Sequence, residues 1–178
     1  EPGARLETDN INWSEPKTDC IHLADFEHDK PEHLRCAILS FSRFFYEQKM
    51  GEDEPSLREL VRSEFPARGL INETATDEER QKAMDRARKL FDCFSRFRIL
   101  ALLRRGPFGV SGINNFLARQ WRQVLDKQAP ARLNLFAGAP IIITKNTPER
   151  ALYNGDLGVI VRAEGRCYYG LFQRGDMV

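Results

Sequence analysis

A glycine-rich stretch flanked by arginines is the part of this sequence whose residues are best suited to bind an anion. It occupies residues 106–112, reads GPFGVSG, and directly precedes a run with helical apolar spacing. The main-chain N–H groups of a glycine turn at the start of a helix attract phosphate. Two interpretations remain open. Either the turn holds a nucleic-acid backbone, or its glycines only let a strand and a helix pack closely.

The charges around this stretch favour a polyanion as its ligand. Between residues 96 and 132, Asp126 is the only acidic residue, and the basic residues are Arg96, Arg98, Arg104, Arg105, Arg119, Arg122, Lys127 and Arg132. Residues 1–95 contain 14 Lys and Arg against 21 Asp and Glu, whereas residues 96–178 contain 13 against 5. We therefore expect the second part of the chain to face a polyanion and the acidic first part to suit a protein partner.

Motifs for catalysis are missing from the sequence. No glycine is followed by lysine, so there is no phosphate-binding P-loop, and no HExxH, GxSxG or Rossmann fingerprint is present. The four cysteines form no CxxC pair, and the three histidines lie in one acidic segment, without the paired short spacings of a zinc site. We expect reduced thiols, no metal, no cofactor and no catalytic residue in this chain.

The composition is that of a soluble globular protein. Hydrophobic residues make up 42% of the 178 positions and charged residues 30%, and no apolar run approaches the roughly 20 residues that span a bilayer. The first residues lack the charged-then-apolar pattern of a targeting signal. Because the chain begins with Glu1 rather than Met, we expect a fragment of a longer cytoplasmic protein that does not contact a membrane.

Residues 1–95 read as an acidic helical region. Apolar residues at three- and four-residue spacing follow three helix-start patterns, at residues 29–32, 56–59 and 76–79, and a loop is predicted at 66–75. Residues 96–132 read as a buried strand at 97–103, the glycine turn, and a helix from Ser111 to Leu125. Residues 133–178 read as β-structure, with strands at 140–145, 156–161 and 167–172. The expected fold class is therefore α+β or α/β.

The sequence NGD at Asn154, Gly155 and Asp156 predicts a structural turn in front of a strand. Asn-Gly tolerates positive φ at both central positions of a tight hairpin turn. We interpret these residues as a structural corner, not as a catalytic loop.

Two stretches together resemble the RecD family, the alpha subunit of exodeoxyribonuclease V and a superfamily 1 DNA helicase. The first is FRILALLRRGPFGV at residues 97–110 with GIN at 112–114, similar to the family's "LcaLReGpfGv-xLN" segment. The second is GAPIIITKN at 138–146 with LYNGDLG at 152–158, similar to its "GrPVmitrNd…LfNGDiGi" segment. Their order and separation also match, and they cover roughly residues 94–172.

The resemblance implies a helicase that uses ATP and Mg²⁺ to move 5′→3′ on single-stranded DNA during double-strand break repair and recombination. It implies a partial RecA-like strand–turn–helix segment at 96–132 and the start of an SH3-like β insertion at 133–178. The family's nucleotide-binding motifs are absent from the chain. The resemblance therefore implies a piece of the second motor domain that neither hydrolyses ATP nor unwinds DNA alone.

Candidate DNA contacts are Arg104, Arg105 and Asn114 around the glycine turn, with Lys145 and Asn146 as weaker candidates. For Arg104 the alternative is an ion pair with an acidic neighbour at the end of the strand. Partners implied by the resemblance are single-stranded DNA and, within a RecBCD complex, RecB- and RecC-like subunits. The alternative function is a stand-alone protein-interaction module with an SH3-like β unit, which binds a partner subunit or peptide and has no DNA affinity.

Overall fold

The structure, a computed structural model, describes residues 5–7, 20–22, 31–49, 51–96, 98–129 and 135–173. The predicted capping residue Asp29, the first strand residue Phe97, the histidine His28 and the basic residue Arg132 lie outside these ranges. The helices are α1 (Pro31–Glu47), α2 (Leu57–Arg62), α3 (Arg68–Ile71), α4 (Asp77–Ser95) and α5 (Val110–Leu125). The strands are β1 (Arg5–Glu7), β2 (Cys20–His22), β3 (Pro140–Ile142), β4 (Leu157–Arg162) and β5 (Tyr168–Phe172).

Strands β3, β4 and β5 form an antiparallel sheet with β4 in the middle. Ile141 lies opposite Gly158, and Val159 lies opposite Leu171. The short strands β1 and β2 pair in parallel. Helices combined with this antiparallel sheet make the architecture α+β, which confirms the coarse expectation. Among the described residues, no helix is long and apolar enough to cross a membrane.

One buried cluster joins α2, α4 and α5 to the sheet. Its fully or almost fully buried members include Leu57, Val61, Phe65, Leu90, Trp121, Leu125, Phe136, Val159 and Val161. These side chains come from all three ranges that the sequence distinguishes. The main chain contributes too, because the Phe65 N–H donates to the Arg162 carbonyl over 2.7 Å and so ties the residues after α2 to the end of β4. Burial of apolar surface across these elements is what holds the helices on the sheet.

The predicted buried strand at 97–103 is wrong over its described residues, 98–103, which have no regular secondary structure. The Leu100, Leu102 and Leu103 side chains are exposed. The Leu103 carbonyl accepts a hydrogen bond from the N–H of Val110 at the start of α5, not from a neighbouring strand. The apolar run indicated a strand, but no described strand lies beside it to complete a ladder. A parallel strand–turn–helix unit is accordingly not formed within residues 98–129.

Smaller differences concern the ends of several helices and strands. Helix α2 ends at Arg62, not near Phe65, and the predicted loop at 66–75 contains the single-turn helix α3. Strand β3 begins at Pro140 as predicted but ends at Ile142 instead of Lys145, whereas β4 and β5 each begin one residue later than predicted and β4 ends at Arg162. The predicted capping box at Ser56 is confirmed, and the predicted helix start at Thr76 also forms a capping box.

Replacing Ser56 with alanine tests the capping box of α2. The Ser56 hydroxyl accepts the Glu59 N–H, and the Glu59 carboxylate accepts the Ser56 N–H over 2.7 Å. We expect Ser56→Ala to lower the free energy of unfolding at neutral pH by about 1 kcal/mol. Urea denaturation followed by circular dichroism measures this difference. Ser40→Ala, inside α1, is the matched control and should leave stability unchanged or slightly raised, since alanine favours helix.

The stability that this capping box contributes should depend on pH. Hydrogen bonds from the Ser56 main-chain N–H and then from its hydroxyl lower the pKa of Glu59 below its usual 4.5. A lowered folded-state pKa contributes stability that is present at neutral pH and is lost as the pH falls through that lowered pKa. The difference between wild type and Ser56→Ala should therefore shrink below pH 4.5. A difference that stays constant through this range would contradict a role for the charged box.

Candidate nucleic-acid interface

The glycine stretch forms a compact loop that is fastened to the start of α5. The Val110 N–H donates to the Leu103 carbonyl over 2.9 Å, and the Ser111 N–H donates to the Arg104 carbonyl over 3.1 Å. The Ser111 hydroxyl donates to the same Arg104 carbonyl over 3.0 Å. Gly106 has φ of +93°, a backbone conformation that L side chains rarely adopt. The loop is therefore held by its own main chain.

These hydrogen bonds use two of the amides that the glycine turn was expected to offer to phosphate. The N–H groups of Val110 and Ser111, which open α5, already have carbonyl partners from the preceding segment. The glycines serve close packing: a Cβ added at Gly112 would lie 2.5 Å from the Pro107 carbonyl oxygen, and one at Gly109 would lie 2.8 Å from the Leu103 carbonyl oxygen. Close packing therefore explains the glycines at 109 and 112, although no described strand takes part in it.

Two arginine side chains extend from this fixed loop into solvent. Arg104 and Arg105 are both exposed. Neither forms an ion pair with any described residue, so the alternative that Arg104 pairs with an acidic neighbour is not observed. Asn114 is exposed as well and lies four residues after Val110, on the same face of α5. The structure therefore groups these three candidates near the start of one helix.

The other two candidates lie in the connection between β3 and β4. Lys145 and Asn146 are both exposed. The Asn146 Oδ1 accepts the Asn154 N–H over 2.8 Å, which gives this side chain a structural role within the connection. Within the described ranges, no hydrogen bond or ion pair joins this connection to the glycine loop. The structure thus presents two separate groups of candidates.

The NGD residues make a turn at the end of the same connection. The Asp156 N–H donates to the Tyr153 carbonyl over 3.0 Å, and the Asp156 carboxylate accepts the Tyr153 N–H over 2.8 Å. Gly155 has φ of +98°, whereas Asn154 does not have positive φ. This is the pattern of a type II turn, not of the tight hairpin turn with positive φ at both positions. The turn packs against β3 through hydrogen bonds of Ile143 to Gly155 and Asp156.

The acidic residue inside the basic stretch has a role that the sequence analysis missed. Asp126 is 2% exposed, and its carboxylate accepts the N–H groups of Gln128 over 3.3 Å and Ala137 over 3.0 Å. It also forms an ion pair of 3.4 Å with Arg162 of β4. Burial, and then the nearby Asp126 carboxylate, raise the pKa of Tyr168 to about 12. A lone acid directly after a helix was the available signal, but its partners are distant in sequence.

The buried pairing of Asp126 matters for the surface charge. Because Arg162 compensates its carboxylate inside the protein, Asp126 does not offset the exposed arginines of the loop. The basic character of residues 98–122 is therefore expressed at the surface with no counter-charge from this acid.

A groove lined by residues of α2 and α4 is a concave feature of the described surface. Its lining mixes both signs of charge, and Lys89 and Glu54 pair across it over 2.8 Å. Mixed charge does not suit a polyanion, so the groove is not part of the candidate interface. Among the described residues, no group of three or more His, Cys, Asp and Glu side chains could hold a metal ion.

Comparison with known proteins supplies no relative: no protein-family model matches the sequence, and no curated protein matches it.

Proposed function

We propose that this chain is a non-catalytic part of a RecD-like DNA helicase and that Arg104 and Arg105 contact the phosphates of single-stranded DNA. In this proposal α5 belongs to the second, RecA-like motor domain, and β3–β5 begin an SH3-like insertion. ATP and Mg²⁺ bind elsewhere in the parent protein, which acts in the cytoplasm, either alone or with RecB- and RecC-like subunits.

The observation that carries the proposal is the pair of exposed arginines on a loop that its own main chain fixes. Three hydrogen bonds hold the loop to α5, and neither arginine is neutralised by a carboxylate among the described residues. Because the loop is held in place, less conformational entropy is lost when the two arginine side chains bind a phosphate backbone. Phosphate contacts of this kind are independent of base sequence, as a translocating motor requires. The loop also lies in the first of the two RecD-like stretches.

Replacing both arginines tests the proposal. We expect Arg104→Ala combined with Arg105→Ala to weaken binding of a fluorescein-labelled oligo(dT) strand by about tenfold at low salt. The slope of log affinity against log salt concentration should fall by about 1.4, since each phosphate contact to a single strand contributes about 0.7. Fluorescence anisotropy titrations at several NaCl concentrations measure both quantities.

The matched control removes the same amount of charge elsewhere. Arg58 and Arg68 are paired with Glu47 and Glu164 at 3.0 and 3.1 Å. Their double replacement with alanine changes the net charge equally, and it should leave the oligo(dT) affinity and its salt slope nearly unchanged. If both double variants lose affinity to the same extent, the effect is one of net charge alone and the proposed contact is refuted.

A further inference from the structure

The segment before the glycine loop exposes more apolar surface than its sequence leads one to expect. The exposed fractions of Leu100, Leu102 and Leu103 are 87%, 106% and 64%, and that of Ile99 is 40%. In an extended chain these residues would lie on both faces, with Leu100 and Leu102 on one and Ile99 and Leu103 on the other. A continuous apolar run of this kind is typical of a strand covered on both faces. Here the face of Leu100 and Leu102 is open, and the face of Ile99 and Leu103 is only partly covered.

The main chain of the same segment is also unpaired. Within the part of the chain that the structure describes, no hydrogen bond involves the N–H or carbonyl groups of residues 98–102. Unpaired main-chain groups next to apolar side chains form a template on which another strand can add. The segment therefore meets both requirements for strand addition. It has a row of unpaired main-chain donors and acceptors, and it has apolar side chains that a partner strand can bury.

The charges at its ends define what can pair with it. Arg98 precedes the apolar run and Arg104 follows it, both exposed and without an ion pair among the described residues. In an antiparallel pair of two copies centred on Ala101, Arg98 of one copy would lie opposite Arg104 of the other. Parallel pairing in register would place each arginine opposite itself. Like charges directly opposite one another destabilise a strand pair, so self-pairing is disfavoured.

We propose that residues 98–103 add as a β-strand to the sheet edge of a partner protein, whose edge strand is apolar in the middle and has carboxylates at its ends. Carboxylates opposite Arg98 and Arg104 attract these arginines, whereas a second copy of the segment would repel them. The two charge pairs also fix the register between the segment and the partner strand. This inference concerns a protein surface and goes beyond the proposed DNA contact. It does not depend on the DNA proposal, but the two share Arg104, which cannot contact a phosphate and a partner carboxylate at the same time.

A peptide probe tests the proposal on the intact chain. The fluorescein-labelled peptide DEVTVTVED represents the acidic-flanked strand, and KKVTVTVKK represents the same strand with reversed charge. We expect the acidic peptide to bind about tenfold more tightly in anisotropy titrations, because its terminal carboxylates meet the arginines. Methylating alternate main-chain nitrogens of the acidic peptide should abolish binding, since the ladder hydrogen bonds are then lost. Arg98→Glu combined with Arg104→Glu should reverse the preference between the two peptides.

Further variants distinguish a loss of peptide binding by this segment from a loss of overall stability. Leu100→Ser combined with Leu102→Ser should lose peptide binding while the unfolding midpoint stays the same, because both side chains are exposed. Three results would overturn the proposal. The acidic peptide does not bind at millimolar concentration, its methylated form binds equally well, or the chain self-associates through contacts that the leucine replacements abolish. Oligo(dT) titrations of the double leucine variant report on the DNA proposal separately, because neither leucine belongs to the proposed DNA contact.

Discussion

Replacing Asp126 with alanine is expected to lower the free energy of unfolding by about 3–5 kcal/mol, the range found when one partner of a buried ion pair is removed. The side chain of Asp126 is fully buried, and that of Arg162 is only 16% exposed. Without the carboxylate, the guanidinium remains near the protein interior with no counter-charge. The N–H of Ala137 also loses its acceptor, and a buried unsatisfied donor is costly. Urea denaturation followed by circular dichroism measures the loss.

The control for Asp126 is an exposed acid in a comparable pair. Asp85 lies 3.6 Å from Arg88 on the surface of α4, and both side chains are about half exposed. Asp85→Ala should change stability by less than about 1 kcal/mol, as is usual for exposed pairs. Asp126→Asn adds a second comparison, because it keeps the shape but removes the charge. If Asp126→Ala and Asp85→Ala have equal effects, Asp126 does not join α5 to the sheet in the way described.

Replacing Trp121 with alanine is expected to lower the free energy of unfolding by about 3–5 kcal/mol, through the cavity that it leaves. The indole is 6% exposed, and its ring centroid lies 4.5 Å from that of Tyr46 in α1. Its Nε1–H donates to the Ser42 hydroxyl over 2.9 Å. The side chain thus combines apolar burial with a buried hydrogen bond between α1 and α5. Thermal and urea unfolding should both report the change.

Two further replacements divide this effect into its parts. Trp121→Phe keeps an aromatic ring but removes the donor, and it should cost less than alanine does. Leu102→Ala, at a fully exposed position, should leave the free energy of unfolding nearly unchanged. A small effect of Trp121→Ala, similar to that of Leu102→Ala, would show that α1 and α5 do not pack through this residue.

The sequence predicted those helix starts, helix ends and strands that interactions between neighbouring residues determine. The capping box at Ser56 and the helix start at Thr76 need only residues three positions apart, and both form as expected. The start of α5 within a residue of Ser111 and its end at Leu125 also follow from apolar spacing and the preceding glycines. The strands β4 and β5 follow from their apolar runs, whereas their antiparallel pairing is known from the structure.

Features that depend on distant partners could not be predicted in this way. Whether the apolar run before the glycine loop becomes a strand depends on a neighbouring strand, which its own residues do not specify. Asp126 finds Arg162 and Ala137 only once α5 packs beside β4. For the candidate site, the sequence identified the exposed Arg104 and Arg105, but it did not reveal that carbonyls occupy the amides of Val110 and Ser111. The DNA contacts themselves stay a prediction.

The start of α5 does not depend on which side chains stand at positions 104 and 105. Helix initiation uses the carbonyls of Leu103 and Arg104 and no side chain of either arginine. Any residue at these two positions supplies the same main-chain atoms, apart from proline. Side chains of different length and charge can therefore replace the two arginines without altering the fold. Such replacements change the affinity for a ligand while the loop keeps its conformation.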